Sequence, residues 1–217
     1  MAKEPSLIIK SITGGPYETH SYLCACNRTK EAVLIDASPG IASEVIQQAE
    51  ELGVVVEKII LTHSHWDHIA GLKDLGEKWP LHVYLHKDDI GNLQNPGTDG
   101  LVAPIPVEKA ECQIHEIDEK TKLTIGDVPL TIIETPGHTP GGLCFYIAEE
   151  KVLFSGDTLF HGSIGRLDLP NSCPDRMWDS LKKLDALPEE TLVLTGHGPT
   201  FRLADASWLA RAEEVFG

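Results

Sequence analysis

Basic residues are scarce in this sequence. Only 18 Lys and Arg stand against 33 Asp and Glu, for a formal net charge of −15 over 217 residues. Nucleic acids and anionic membranes are both recognised through cationic side chains, so neither is an expected partner. The acidity reads as a solubilising surface, and bound cations would offset part of it. Long apolar runs are missing too. No segment reaches the roughly 18 residues that a membrane-spanning helix needs. The opening Met1-Ala2-Lys3-Glu4-Pro5 has no apolar stretch of a secretory leader, and a cytoplasmic location is the expectation. Cysteine occupies five positions, an odd number, and a chain of this size does not depend on disulfide staples. Cys24 and Cys26 share one face of a strand-like segment and read as reduced, half-buried thiols rather than a metal or redox pair. The Gly-x-Ser-x-Gly turn of serine hydrolases is absent, so the chemistry has to come from elsewhere. With no internal repeat and no low-complexity linker, residues 1–217 are expected to form a single domain.

What is present has regular punctuation. Leu7–Ile12, Ser21–Ala25 and Ala32–Asp36 read as strands between turn residues. Ile41–Leu52 reads as an amphipathic helix stopped by Gly53. Val54–Leu61 is nearly continuously apolar, as a buried strand would be. A helix is expected over Ile69–Trp79 and a strand over Leu81–Leu85. Residues 86–111 are less regular and fit a loop beside a site. Strands then follow at 113–118, 121–125, 128–134, 143–147 and 151–155. Helices at Arg176–Leu187 and Asp205–Phe216 flank a strand at Thr191–Thr195. Strands and helices occur in both halves, which predicts two sheets with helices outside them.

The densest chemistry lies in Thr62-His63-Ser64-His65-Trp66-Asp67-His68. Imidazole and carboxylate suit zinc and neighbouring transition metals, and one ion rarely takes four ligands from so short a segment. Three further positions repeat one pattern, a short apolar strand followed by a ligand in a Gly-containing turn. They are Ile132–His138, Val152–Asp157 and Leu192–His197. A single His or Asp in such a turn is ordinarily a cap or a satisfied polar group. Seven ligand-type residues at strand ends, where open sheets gather their ligands, do not read as seven coincidences. Two ions with three or four protein ligands each, one carboxylate shared, need about that number. The candidates are His63, His65, Asp67, His68, His138, Asp157 and His197. His20, Tyr22, Trp66 and His161 read as scaffold before substrate contacts, and His82, His86 and His115 as structural or solvated.

In order and spacing these residues resemble the metallo-β-lactamase superfamily and, within it, the glyoxalase II (hydroxyacylglutathione hydrolase) group. The family pattern His-x-His-x-Asp-His, then His, Asp and His, is matched by His63-Ser64-His65-Trp66-Asp67-His68, His138, Asp157 and His197. The resemblance implies an α/β fold of the four-layer αββα kind. It implies two divalent metal ions, zinc first, with iron or manganese as alternatives. It assigns His63, His65 and His138 to one ion, Asp67, His68 and His197 to the other, and Asp157 to both. The implied reaction is hydrolysis of a small-molecule thioester such as S-lactoylglutathione. A water shared by the cations would act as hydroxide, with Asp67 orienting it as well as binding metal. Arg166, nine positions after Asp157, stands where the group carries a basic residue that binds a carboxylate of glutathione. The alternative role for Arg166 is a structural pair with Asp168.

The chain departs from that group in three places. Asp168 and Pro199 stand where glyoxalase II has tyrosines, and only 20 residues follow His197, where the group carries a helical domain with further glutathione contacts. Three rival readings share the site. A persulfide dioxygenase would hold one iron through His63, His138 and Asp157 and leave positions open for oxygen. A lactone hydrolase would use the same hydroxide. A non-catalytic metal-binding protein is disfavoured because no ligand of the set is missing.

Overall fold

Alternation of apolar residues along short segments builds two six-stranded sheets. The computed structural model describes residues 6–217; residues 1–5, to which the expectation about a leader refers, lie outside the described part. The first sheet is ordered β1 (Leu7–Gly14), β2 (Thr19–Cys26), β3 (Glu31–Ile35), β4 (Val55–Ile60), β5 (His82–Leu85) and β6 (Gln113–Glu116). Its first three strands pair antiparallel and the rest parallel. The later strands are β7 (Leu123–Ile125), β8 (Val128–Glu134), β9 (Leu143–Ile147), β10 (Val152–Gly156), β11 (Leu159–Phe160), β12 (Ser163–Ile164), β13 (Leu192–Thr195) and β14 (Phe201–Arg202). The second sheet runs β14-β13-β10-β9-β8-β7, and β11 and β12 form a separate hairpin. Its pairs are antiparallel except β10 with β13.

The period of two sorts each strand between two cores. In β9, Leu143, Phe145 and Ile147 join the core between the sheets, while Cys144 and Tyr146 join the outer core with Met177, Leu181 and Leu184 of α5 (Pro174–Asp185). In β3, Val33 and Ile35 face the other sheet, and Ala32 and Leu34 pack with Val45 and Ala49 of α1 (Ala42–Leu52). Helices thus cover the outer face of both sheets, in the expected αββα order. Gly53 closes α1 in a left-handed conformation, φ 63°, with its N–H on the carbonyls of Ala49 and Glu50.

The expected helix over Ile69–Trp79 is instead two short helices, α2 (Trp66–Ile69) and α3 (Leu72–Gly76). The break is a close backbone approach. Gly71 N donates to Ala37 O at 2.9 Å, and a Cβ at Gly71 would strike the Ser38 carbonyl. Residues 86–111 hold a 3-10 turn at Lys87–Asp89 and a fourth helix, α4 (Ile90–Gln94). The expected helix over Asp205–Phe216 is replaced by 3-10 turns at Leu203–Asp205 and Leu209–Arg211 and a short α6 (Ala212–Phe216). That tail follows the shape of α5, burying Leu209 and Ala212 in the same cluster. No helix among the described residues is long and apolar enough to cross a membrane.

Candidate metal centre

All seven candidates converge on one end of the two sheets. His63–His68 follows β4, His138 follows β8, Asp157 follows β10 and His197 follows β13. Cross-sheet bonds at that end hold the loops together. Leu143 N donates to Thr62 O at 2.8 Å, His20 N to Gly196 O at 2.8 Å, and the Tyr22 hydroxyl to Thr195 O at 2.6 Å. Gly196 is required by position, because a Cβ there would meet Asp157 Oδ1 and the His68 ring.

Three sets of potential ligand atoms each lie within 4.8 Å of one another: His63, His65 and His138; Asp67, His68 and His197; and His63, His68 and Asp157. Asp157 sits between the first two. Its Oδ2 is 3.5 Å from His138 Nε2 and 3.4 Å from His197 Nε2, and its Oδ1 is 3.3 Å from His68 Nε2. His63 Nε2, His68 Nε2, His138 Nε2 and Asp157 Oδ1 are buried and make no hydrogen bond. Leaving such groups unpaired away from water is costly. Lone pairs converging from imidazole and carboxylate are what a divalent cation would satisfy, so the residues fit the metal chemistry.

The opposite ring atoms explain the orientation. His68 Nδ1 donates to Asp36 Oδ2 at 2.9 Å, His138 Nδ1 to Arg166 O at 2.9 Å and His197 Nδ1 to Tyr17 O at 2.9 Å. The Thr62 hydroxyl gives its hydrogen to Asp36 at 2.8 Å, so its oxygen accepts from His63 Nδ1 at 3.0 Å. Each of these four rings therefore aims its Nε2 at the centre. His65 is turned the other way, with Nε2 3.4 Å from Asn171 Oδ1 and Nδ1 left for the site.

The electrostatics follow from burial and proximity. Burial, reinforced by neighbouring His68, holds His63 well below the usual imidazole range. Burial also lowers His65 to about 3, helped by His138. These two rings are neutral, as ligands must be. Burial opposes a charge on His68, but Asp36, Asp67 and Asp157 outweigh it and raise that ring. Burial likewise opposes His197, whose bonds to Asp157 and Asp67 lift it to about 10. Against burial, His68 and the bonds from His197 and Thr19 bring Asp67 down to about 2. Asp157 is lowered by the same two histidines.

The centre forms the floor of a cleft of about 750 Å³. Arg166 lies on its rim with its guanidinium engaged by Asp168, both bonds at 2.9 Å. Trp66 and His161 line the cleft; Tyr22 and His20 brace the scaffold, His20 through Thr13 Oγ1 and Gly198 O. His82 and His115 pair with each other away from the centre at 3.1 Å. Sequence reasoning missed Asp36 and Asp89. Asp36 follows an apolar strand, as the ligands do, but lacks the glycine turn. Asp89 accepts from Ser64 N, Gly141 N and the Thr139 hydroxyl, tying the His63–His65 loop to the His138 loop. No local pattern marks it.

Metallo-beta-lactamase superfamily sequences match this chain over residues 14–197. The chain belongs to that superfamily and is a metal-dependent hydrolase of it. It is 36% identical over 188 residues to the probable metallo-hydrolase YqgX of Bacillus subtilis (strain 168), covering 85% of this chain and 87% of that one. It is also 36% identical over 180 residues to the hydroxyacylglutathione hydrolase of Rhodospirillum rubrum, covering 83% of this chain but 62% of that longer relative. The crystal structure of the BLEG-1 B3 metallo-beta-lactamase is similar with a TM-score of 0.84 at 34% identity, covering 97% of this chain and 100% of that one.

Proposed function

We propose that this protein is a binuclear thioester hydrolase of the glyoxalase II kind, with S-lactoylglutathione as the reference substrate. The observation that carries the reading is Asp157 between two complete three-residue ligand sets on the floor of an open cleft. The likeness to a hydroxyacylglutathione hydrolase supports the substrate class. His63, His65 and His138 would hold one cation, Asp67, His68 and His197 the other, and Asp157 both. Zinc is the first candidate by donor chemistry, with iron or manganese next. When bound, the two cations would acidify a shared water and polarise the substrate carbonyl.

The chain's own residues supply position. The Thr19 hydroxyl donates to Asp67 Oδ2 at 2.8 Å, which holds that carboxylate toward the cleft to orient the attacking water. The leaving thiol has an ordinary pKa of about 8.5 and departs as thiolate without a protein acid. Arg166 is the rim residue available to a substrate carboxylate, provided Asp168 releases it. Unpaired cysteines throughout support a reducing, cytoplasmic setting. The acidic balance supports a small-molecule substrate over nucleic acid or membrane.

Elemental analysis of purified protein, paired with S-lactoylglutathione hydrolysis, tests the reading. Two metals per chain with turnover is expected. One iron with oxygen uptake would replace it by the dioxygenase reading. Hydrolysis of lactones alone would replace it by the lactonase reading, and two metals with no hydrolysis of any ester by a binding role.

A further inference from the structure

Resting on the thioester reading, we infer that the cleft is built for a neutral, apolar substrate body, and that Asp168 sets this specificity by occupying Arg166. The walls above the ligand floor include Tyr17, Trp66, Leu101, Val102, Phe160 and Ile164. They come from four separate parts of the chain and enclose one volume. Two of them leave large apolar surface in water at the mouth: Val102 is 92% exposed and Tyr17 56%. Covering such surface is what a bound apolar group would do.

Charged recognition is correspondingly thin. Arg166 is the only Lys or Arg among the described residues lining the cleft. Both arms of its fork, Nε and Nη2, already meet the two oxygens of Asp168. A guanidinium engaged in this bidentate way offers a substrate carboxylate a competitor at two residues' distance. Pro199, also on the lining, adds no polar side-chain group. Above the metal floor, an anionic tripeptide thiol would meet one cationic side chain, and that one paired with Asp168 at the exposed rim. An aliphatic or aromatic acyl group on a small neutral thiol would find apolar side chains from four parts of the chain.

The test compares metal-loaded protein on matched esters: S-hexanoyl-N-acetylcysteamine, which is neutral, and S-hexanoylglutathione, which is anionic. The neutral ester is expected to have a kcat/KM at least about tenfold higher, since the shared acyl contacts cancel and the anionic thiol leaves a charge unmatched. From acetyl to hexanoyl, kcat/KM should rise about three- to fourfold per methylene, as burial of each CH2 predicts. In Asp168→Asn, the ratio should shift about tenfold toward the glutathione ester. Calorimetry with the non-hydrolysable S-hexyl thioethers of the same two thiols should reproduce the ranking without turnover. A glutathione ester that is equal or better in the wild-type protein, or a rate blind to acyl length, overturns the inference and leaves thioester hydrolysis standing. Hydrolysis of neither ester by the two-metal protein overturns the underlying reading as well.

Discussion

Asp36 and His68 meet at 2.9 Å in the interior, with His68 fully buried and Asp36 2% exposed. The same carboxylate takes the Thr62 hydroxyl and backbone N–H, so it orients His68 directly and His63 through Thr62. Asp36→Asn replaces an acceptor with an amide that can donate, and His68 loses the partner that aims Nε2 at the centre. Cation affinity should fall about 10–100-fold, most at the set containing His68. Competitive chelator titration with stoichiometry by elemental analysis measures it.

Asp157 contacts rings of both ligand sets, so its loss strikes both at once. Asp157→Ala should fail to retain two metals through gel filtration, and turnover should drop to background. A variant with wild-type activity would contradict the two-metal scheme.

Removing metal exposes a charge network with its own pH dependence. His197 is raised from 6.5 to about 10, so its stabilisation is complete below pH 6.5 and is lost as pH rises through 10. Asp67 is lowered from 3.8 to about 2, so its contribution is present above pH 3.8 and is lost as pH falls through 2. The melting temperature of chelator-treated protein should therefore peak near pH 6.5, falling above it as His197 loses its proton and below it because His63 and His65, held neutral in the fold, take up protons once unfolded. A curve still rising at pH 9 would contradict the assignment for His197.

Phe145 is fully buried between the sheets, in register with Ile132 of β8 and Phe154 of β10, the strands that lead to His138 and Asp157. Phe145→Ala should cost about 3–5 kcal/mol. Thermal unfolding should show a melting temperature about 10 °C lower. Because Phe145 belongs to the core between the sheets and lines neither the cleft nor the ligand sets, metal stoichiometry at low temperature should be retained.

Much of this was legible beforehand for a local reason. His63 to His68 crowd ligand chemistry into one turn, and His138, Asp157 and His197 each end an apolar strand at a glycine turn. The main strands and helices α1 and α5 followed from periods of 2 and 3.6, which local residues impose. Where reading failed, distant contacts decided. The helix expected across Ile69–Trp79 breaks because Gly71 must lie against Ala37 and Ser38. Asp36 and Asp89 escaped notice because their partners lie 25 to 52 residues away along the chain.

The sequence by itself determined the donor set and its superfamily, because ligand identity and turn chemistry are written residue by residue. Only the tertiary structure decided which ring nitrogen each histidine offers, where Asp157 sits between the two ligand sets, and that Arg166 is held by Asp168. Those depend on distances between side chains brought together by folding, and separation along the chain does not encode them.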